Sequence, residues 1–358
     1  MTTRELLEFP FAPGTVIDGR LVVKEGVEVG GMGHVFCVWD REGERDCCLK
    51  TILPGLHPRF CPALDLCELM RRERVTAATL AVDNDFVPRI FQGGTIWVSA
   101  EVQGKWHELD LPYYSMERLQ GTTFERIIRL QRQQRELLPW RTVVDLSLLC
   151  ARAVQAVHRR GFIHRDIKPS NIFLHQREDG SRLVKLIDCG ISARAGDKLL
   201  LGTGTARFGS PESFVPGNAA NEAGDNYALA LVVYELALWR GPFVAADLRG
   251  YACAHQFIAP AGIRQTPTAE SAASRFRPDA PPELEDILLR ALSKSPADRP
   301  STDAILDALE GIRERLTREG VPPNAHHDRP PGHLALQPGE TAIPHAWRRV
   351  SASLPAAP

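Results

Sequence analysis

Short apolar and polar alternations dominate the first third of the chain and predict β-structure. Between residues 16 and 50, glycines and one polar turn separate the apolar runs, which predicts a glycine-linked antiparallel meander. A proline-containing stretch over 51–62 predicts a loop. Apolar residues then recur every three or four positions over 63–80, which is the period of a helix with one buried face.

Three further apolar runs predict strands, and they lie at 87–91, 95–98 and 112–116. The segment between the second and the third run mixes polar and apolar residues. We therefore expect an extended hairpin or an insertion at this point.

The pattern changes to helical periods after residue 121. Apolar residues form one stripe of a predicted helix over 143–160, and Gly161 supplies a stop signal. The turn Asp179-Gly180 lies between two apolar runs and predicts a hairpin. Further helices are predicted at 226–239, 282–293 and 302–317. A strand-rich first third and a helical remainder predict an α+β fold with two lobes.

Composition narrows the class of protein. The chain has 358 residues, of which 44% are hydrophobic and 24% are charged, so it is neither wholly disordered nor a small disulfide scaffold. Its 43 Lys and Arg against 44 Asp and Glu give a net charge of −1. No overall positive field attracts nucleic acid, and we expect no nucleic-acid partner. The residues from 321 onward are proline-rich and aperiodic, which predicts a disordered tail.

The cysteines and the apolar runs indicate the cellular compartment of the protein. Eight cysteines occur without CxxC pairs, and the N-terminus lacks the apolar run of a secretory signal. The longest apolar run, 227–239, carries Glu235 and is too short for a membrane span, so it predicts a buried helix. We therefore expect a cytoplasmic protein without membrane insertion.

The strongest chemical signal is the sequence His-Arg-Asp-Ile-Lys-Pro-Ser-Asn at 164–171, between a predicted helix and a predicted hairpin. Asp166, with Lys168 two residues later and Asn171 five residues later, suits phosphoryl transfer. The carboxylate orients a hydroxyl, the lysine neutralises the moving phosphoryl group, and the amide holds a metal ion. A plain polar turn after a helix would not require these residue types together.

This segment resembles the catalytic loop of the protein kinase family, and the resemblance extends from about residue 16 to residue 316. It implies that Asp166 is the catalytic base, that Lys168 contacts the γ-phosphate and that Asn171 binds Mg²⁺. Asp188-Cys189-Gly190 is similar to the family's metal-binding Asp-Phe-Gly, with Cys189 in place of Phe, so Asp188 is the second expected metal ligand.

The resemblance also implies a bilobal protein-kinase-like fold with a small antiparallel β-sheet N-lobe and a mainly helical C-lobe. Its predicted parts are an N-terminal extension at 1–15, an N-lobe at 16–117, a C-lobe at 118–317 and a tail at 318–358.

Lys50 matches the family's strand lysine that binds the α- and β-phosphates. Its expected ion-pair partner is a glutamate on the next helix, and we predict Glu73, with Glu68 as the alternative. The glycine-rich loop matches less well, because Glu28 replaces the first glycine, and we expect this change to lower the affinity for ATP. The predicted nucleotide-contacting residues of this loop are Glu28, Val29, Gly30, Gly31, Gly33 and Val35.

Further matches cover the hinge and the second lobe. Met116 is at the gatekeeper position, and backbone groups near Glu117 and Leu119 are expected to bind adenine. Glu212 and Arg299 match a structural ion pair of the family. Thr203 is the better candidate for phosphorylation than Ser192, and we expect this modification to be optional.

The resemblance implies an ATP- and Mg²⁺-dependent serine/threonine protein kinase that acts on protein hydroxyls. Two alternatives stay open. Glu28 and Cys189 favour a pseudokinase that acts as a scaffold, whereas the four catalytic groups favour an enzyme. A small-molecule kinase shares the early part of the fold, but Lys168 and the Glu212–Arg299 match favour protein substrates. The sequence leaves the oligomeric state open.

Overall fold

The computed structural model describes residues 11–29, 33–61, 65–189, 192–194, 206–215, 217–264 and 276–320. The described chain forms two compact units, one up to Gln120 and one from Gly121 onward. The glycines at 30 and 31, Thr203, most of the extension before residue 16 and the tail after residue 320 lie outside the described residues, so the predictions made for them stay predictions.

The first unit contains a six-stranded sheet in the order β1-β2-β3-β4-β6-β5. Every neighbouring pair of strands is antiparallel. The strands are β1 (Val16–Ile17), β2 (Leu21–Val29), β3 (Gly33–Asp40), β4 (Arg45–Ile52), β5 (Ile90–Val102) and β6 (Lys105–Glu117). The predicted antiparallel meander over 16–50 is confirmed.

Strands β5 and β6 replace the three short strands that were predicted at 87–91, 95–98 and 112–116. They form one hairpin of two 13-residue strands, and Gln103 and Gly104 make its turn with φ values of 54° and 74°. The glycine pair in β5 hid its continuity from the sequence pattern. Gly93 is required by close packing, since a Cβ there would lie 2.8 Å from the carbonyl oxygen of Tyr113. The expected extended hairpin between the runs is therefore correct, and its strands are longer than predicted.

One helix, α1 (Leu66–Ala81), packs against this sheet. Its apolar face buries Leu66, Met70 and Leu80. The helix begins later than predicted because the Asp65 side chain accepts a hydrogen bond from the Glu68 backbone N–H at 2.9 Å and caps it.

The second unit is mainly helical. Its helices are α2 (Phe124–Gln134), α3 (Trp140–His158), α4 (Glu222–Leu238), α5 (Leu248–Phe257), α6 (Pro282–Ala291) and α7 (Thr302–Arg318). The sequence pattern predicted four of these and missed α2 and α5. Both missed helices are short, at 11 and 10 residues, and side-chain caps from Thr123 and Asp247 begin them. The predicted α+β organisation is confirmed.

Short strands complete the second unit. They are β7 (Gly121–Thr123), β8 (Phe162–Ile163), β9 (Ile172–Gln176), β10 (Arg182–Leu186) and β11 (Ala193–Arg194). Strands β9 and β10 form the predicted hairpin, and β8 pairs with β11. The segment from 164 to 171 therefore lies between β8 and β9, and Asp188 follows β10 almost directly.

Helix α4 is the core element of the second unit. All of its residues from Asp225 to Leu238 are buried, which confirms the predicted buried helix. A helix that is buried on all sides in this way must be surrounded by other elements, and α2, α3, α6 and α7 pack on it. Among the described residues, no helix has the length and apolar character needed to cross a membrane.

Candidate active site

The segment from 164 to 171 is fixed to the core through its backbone. The N–H groups of His164 and Arg165 donate to the two carboxylate oxygens of Asp225 at 2.7 and 2.8 Å. Asp225 lies in the first turn of α4, and its Oδ2 also lies 2.9 Å from Nε2 of His158, at the end of α3. One buried carboxylate thus joins the loop to two helices.

The electrostatics keep this anchor charged. Burial raises the pKa of Asp225, but the hydrogen bonds from the His158 ring and from the His164 backbone N–H outweigh it, and the pKa is lowered overall. Burial lowers the pKa of His164, against the opposing charges of Asp225, Asp166 and Asp188. His164 is therefore neutral at neutral pH and serves as a packing residue beside three carboxylates.

Asp166 lies at the centre of the loop, with two polar side chains directed at it. The Nζ of Lys168 lies 2.6 Å from Asp166 Oδ2, and the Nδ2 of Asn171 donates to the same oxygen at 2.8 Å. A second bond from this amide nitrogen reaches the Asp166 carbonyl oxygen at 3.0 Å. The structure thus brings two predicted residues, Lys168 and Asn171, to the carboxylate of the third, Asp166.

Asp188 is held next to this group. The N–H of Ile187 donates to the Asn171 carbonyl oxygen at 2.9 Å, which ties the end of β10 to the loop. Asp188 itself has a φ of 66°, and Arg165 has a φ of 67°, a conformation that costs energy for residues other than glycine. Such strained positions cluster at functional sites; Arg165 directly precedes Asp166, and Asp188 follows the residue whose N–H bonds to Asn171. Cys189 is a buried side chain.

The metal-type donors of this site are the Asp188 carboxylate and the Asn171 amide oxygen. Because Asn171 turns its amide nitrogen to Asp166, its amide oxygen is directed elsewhere. Carboxylate and amide oxygens are hard ligands of the kind that Mg²⁺ prefers, so the donor set fits this ion.

In the first unit, Lys50 and Glu73 form a buried ion pair. Lys50 lies on β4 and Glu73 on α1, and their Nζ and Oε1 atoms are 2.5 Å apart. The hydroxyl of Tyr114 on β6 donates to the same oxygen of Glu73 at 2.7 Å. Glu68, the alternative partner, pairs instead with Arg72 on the exposed side of α1.

The described part of the glycine-rich region follows the register of β2 and β3. Glu28 is opposite Val35, and Val29 is opposite His34. A Cβ on Gly33 would overlap the carbonyl oxygen of Thr51, so this glycine is needed for the close approach of β3 and β4. Val35 is buried directly opposite Lys50.

The predicted hinge begins at the end of β6. Met116 is opposite Cys48 on β4, and Glu117 is the last residue of the strand. The N–H of Glu117 donates to the Arg89 carbonyl oxygen at 2.8 Å. Leu119 lies beyond β6, outside the regular strand.

The predicted structural ion pair is present in the second unit. Arg299 donates from both terminal nitrogens to the Glu212 carboxylate, at 2.8 and 2.7 Å. Its remaining bonds go to backbone carbonyl oxygens, which makes it a cross-link between the loop before α4 and the loop before α7.

Three contributors to the site were missed by sequence reasoning. Asp225 lies at the start of an apolar helix, and nothing in that local pattern shows that it holds the loop that carries Asp166. His158 and Tyr114 carried no signal, because each lies in an apolar pattern and its polar contact comes from a distant part of the chain.

A buried lysine–glutamate pair beside an antiparallel sheet, and a loop with a central aspartate anchored on a buried helix, are the two parts expected of the protein kinase fold. Residues 101–309 match the family model described as "Protein kinase domain", which is more than half of the chain. The chain belongs to the protein kinase family.

Individual relatives are bacterial proteins. A Streptomyces coelicolor protein named "Probable serine/threonine-protein kinase" is 29% identical over 78% of this chain and 38% of its own length. A serine/threonine-protein kinase of Myxococcus xanthus is 33% identical over 63% of this chain and 30% of its own length. The kinase PknB of Mycolicibacterium smegmatis is 28% identical over 86% of this chain and 44% of its own length. The matches thus cover less than half of the length of each of these three relatives.

Proposed function

We propose that this protein transfers the γ-phosphoryl group of ATP to serine or threonine hydroxyls of proteins, in a reaction that depends on Mg²⁺. The observation that carries the proposal is the arrangement around Asp166, whose carboxylate lies within hydrogen-bonding distance of both Lys168 and Asn171. Family membership supports the same reaction class.

Each polar group has a distinct part in this proposal. Asp166 orients the attacking hydroxyl and accepts its proton. The Lys168 ammonium stabilises charge on the phosphoryl group during transfer, since positioning and electrostatics supply most of the catalysis in such reactions. Lys50, held by Glu73, positions the α- and β-phosphates.

The metal ion would be held by Asn171 and Asp188. When bound, Mg²⁺ neutralises negative charge on the phosphate oxygens of the nucleotide. The role of this chain is to hold the two ligands: the backbone bond between Ile187 and Asn171 fixes the spacing between them. The cytoplasmic location expected from the sequence stays part of this proposal.

The test is phosphoryl transfer from labelled ATP with Mg²⁺, to the protein itself and to a mixed acceptor such as dephosphorylated casein. We expect transfer by the unmodified chain and a loss of at least about 100-fold in Asp166→Asn, because the variant cannot accept the proton. Asp179→Asn is the matched control, since Asp179 lies in the exposed β9–β10 turn and should keep full activity.

Equal labelling by the unmodified chain and Asp166→Asn would contradict the proposal and leave the scaffold alternative. Transfer to a small hydroxyl compound but to no protein acceptor would contradict the assignment of protein substrates.

A further inference from the structure

Two cysteines of the first unit face each other across β3 and β4. Cys37 is directly opposite Cys48 in the antiparallel register. Directly opposed residues in such a ladder have Cα atoms roughly 4.5–5.5 Å apart. A disulfide needs a Cα separation of about 4.4–6.8 Å, so the backbone already provides the spacing.

The neighbouring Cys47 cannot take part. Successive residues of a strand point to opposite faces, so Cys47 is directed away from Cys48. It is fully buried in the core with Leu49 and lies opposite Val38. The chain thus contains a matched control one residue away from the proposed pair.

The environment makes the two thiols unequal. The hydrogen bond from Cys48 holds the pKa of Cys37 below the usual value of a thiol, and the same bond together with burial raises the pKa of Cys48. We therefore assign the attack on the oxidant to Cys37. Both residues retain slight exposure, 6% for Cys37 and 9% for Cys48, whereas Cys47 and Cys150 have none.

We propose that Cys37 and Cys48 form a reversible disulfide when the protein meets a peroxide. A small oxidant suits the slight exposure of the pair. The Cys37 thiolate attacks one oxygen of hydrogen peroxide and breaks the O–O bond, which gives a sulfenic acid and hydroxide. The Cys48 sulfur then displaces the sulfenic oxygen and forms the S–S bond. Two thiols and one peroxide give one disulfide and two waters, so the two electrons lost by sulfur reduce the peroxide.

The cysteine pair lies beside the residues that are predicted to contact the nucleotide, a placement that rests on the proposed function. Strand alternation puts Cys37 on the same face as Val35, and Cys48 on the same face as Lys50. Val35 and Lys50 are themselves opposite each other, and Cys48 is opposite Met116. The pair therefore borders the residues predicted to contact the nucleotide, and bound nucleotide should cover it.

The test is peptide mapping of the full chain after brief treatment with hydrogen peroxide and alkylation of the remaining thiols under denaturing conditions. We expect a cross-linked peptide containing Cys37 and Cys48, lighter by two hydrogen atoms and reversed by dithiothreitol. Two of the eight cysteines should escape alkylation. Cys37→Ala and Cys48→Ala should each abolish the cross-link, and Cys47→Ala should retain it.

Thermal unfolding of each variant checks that it is folded, so that loss of the cross-link reports on chemistry. Two outcomes would overturn the proposed disulfide. One is a cross-link between Cys37 and a different cysteine that still forms in Cys48→Ala, and the other is peroxide treatment that gives only sulfinic or sulfonic acid at Cys37.

A second arm repeats the oxidation with Mg²⁺ and a non-hydrolysable ATP analogue, after titration has shown the analogue to be bound. We expect the cross-link to form more slowly in this arm. Equal rates with bound analogue would overturn the placement beside the nucleotide, whereas an analogue that does not bind would contradict the proposed function and leave the thiol pair to the first arm.

Discussion

The two units hold the residues of the candidate site in different ways. In the first unit, Lys50 and Glu73 meet only through their side chains, one from a strand and one from a helix. In the second unit, the loop that carries Asp166 is held by backbone N–H groups that donate to Asp225. Both partners of the Lys50–Glu73 pair are side chains that can rotate, whereas the two donors of the loop are backbone groups and only their acceptor is a side chain.

We expect this difference to separate effects on stability from effects on activity. The anchor of the second unit is a buried carboxylate with several donors, and it is expected to contribute strongly to folding. The pair in the first unit depends on how α1 packs on the sheet through Leu66, Met70 and Leu80. We therefore expect substitutions in the first unit to affect activity more than stability, and substitutions at the anchor to affect both.

The largest effect of a single substitution is expected from Asp225→Ala. The change leaves two backbone N–H groups and the His158 ring without their buried acceptor, which should lower the free energy of unfolding by about 3–5 kcal/mol. Urea unfolding measures this value. Asp303→Ala is the control, because Asp303 is also in the first turn of a helix but is exposed, and it should cost less than about 1 kcal/mol. Equal losses for the two variants would contradict the anchor.

We expect a falling pH to destabilise both units before Asp225 is protonated and releases the loop. Burial lowers the pKa of His34, in the first unit, and of His255, in the second, to about 4. The unfolded chain binds these protons near pH 6.5 and the folded chain does not, so the free energy of unfolding falls as the pH drops from 6.5 to 4, by about 3 kcal/mol for each histidine. The pKa of Asp225 is lowered, so its stabilisation is present throughout this window.

Urea unfolding at a series of pH values measures this dependence. His255→Gln should reduce the slope of the free energy of unfolding against pH, whatever its effect on absolute stability. An unchanged slope in this variant would show that His255 is not a source of the acid sensitivity.

Glu73→Gln should lower the rate of phosphoryl transfer by about 100-fold, because Lys50 loses the charge that positions it. Glu68→Gln removes a glutamate from the exposed side of the same helix and should leave the rate unchanged. Steady-state transfer assays of both variants measure the effect. A similar loss of transfer rate in Glu73→Gln and Glu68→Gln would indicate that the Lys50–Glu73 pair has no specific role in phosphoryl transfer.

The smallest effect is expected from Tyr114→Phe, which removes one hydrogen bond to Glu73. The loss of stability should be about 1 kcal/mol, with a measurable decrease in transfer rate. Tyr113→Phe is the control, since the Tyr113 hydroxyl donates to Asp18 at 2.7 Å, away from the ion pair. It should cost similar stability and no activity, and the opposite pattern would reject the role of Tyr114.

Much of the fold was readable because local patterns were strong. The meander at 16–50 and the hairpin of β9 and β10 have glycine or Asp-Gly turns between apolar strands, and α4 is a continuous apolar run. Helices α2 and α5 were missed because most residues of α2 are polar and Gly250 interrupts α5, so both depend on tertiary packing for stability. The hairpin of β5 and β6 was divided wrongly because Gly93 and Gly94 interrupt the strand pattern without ending the strand.

The sequence by itself determined the residue types of the candidate site and their spacing, since Asp166, Lys168 and Asn171 lie within six residues of one another. Only the tertiary structure decided how they are held. Lys50 contacts Glu73 across 23 residues, and His164 contacts Asp225 across 61. Contacts over such separations form when helices and strands pack to bury their apolar faces, and neither local propensity nor motif spacing specifies which polar groups that packing brings together.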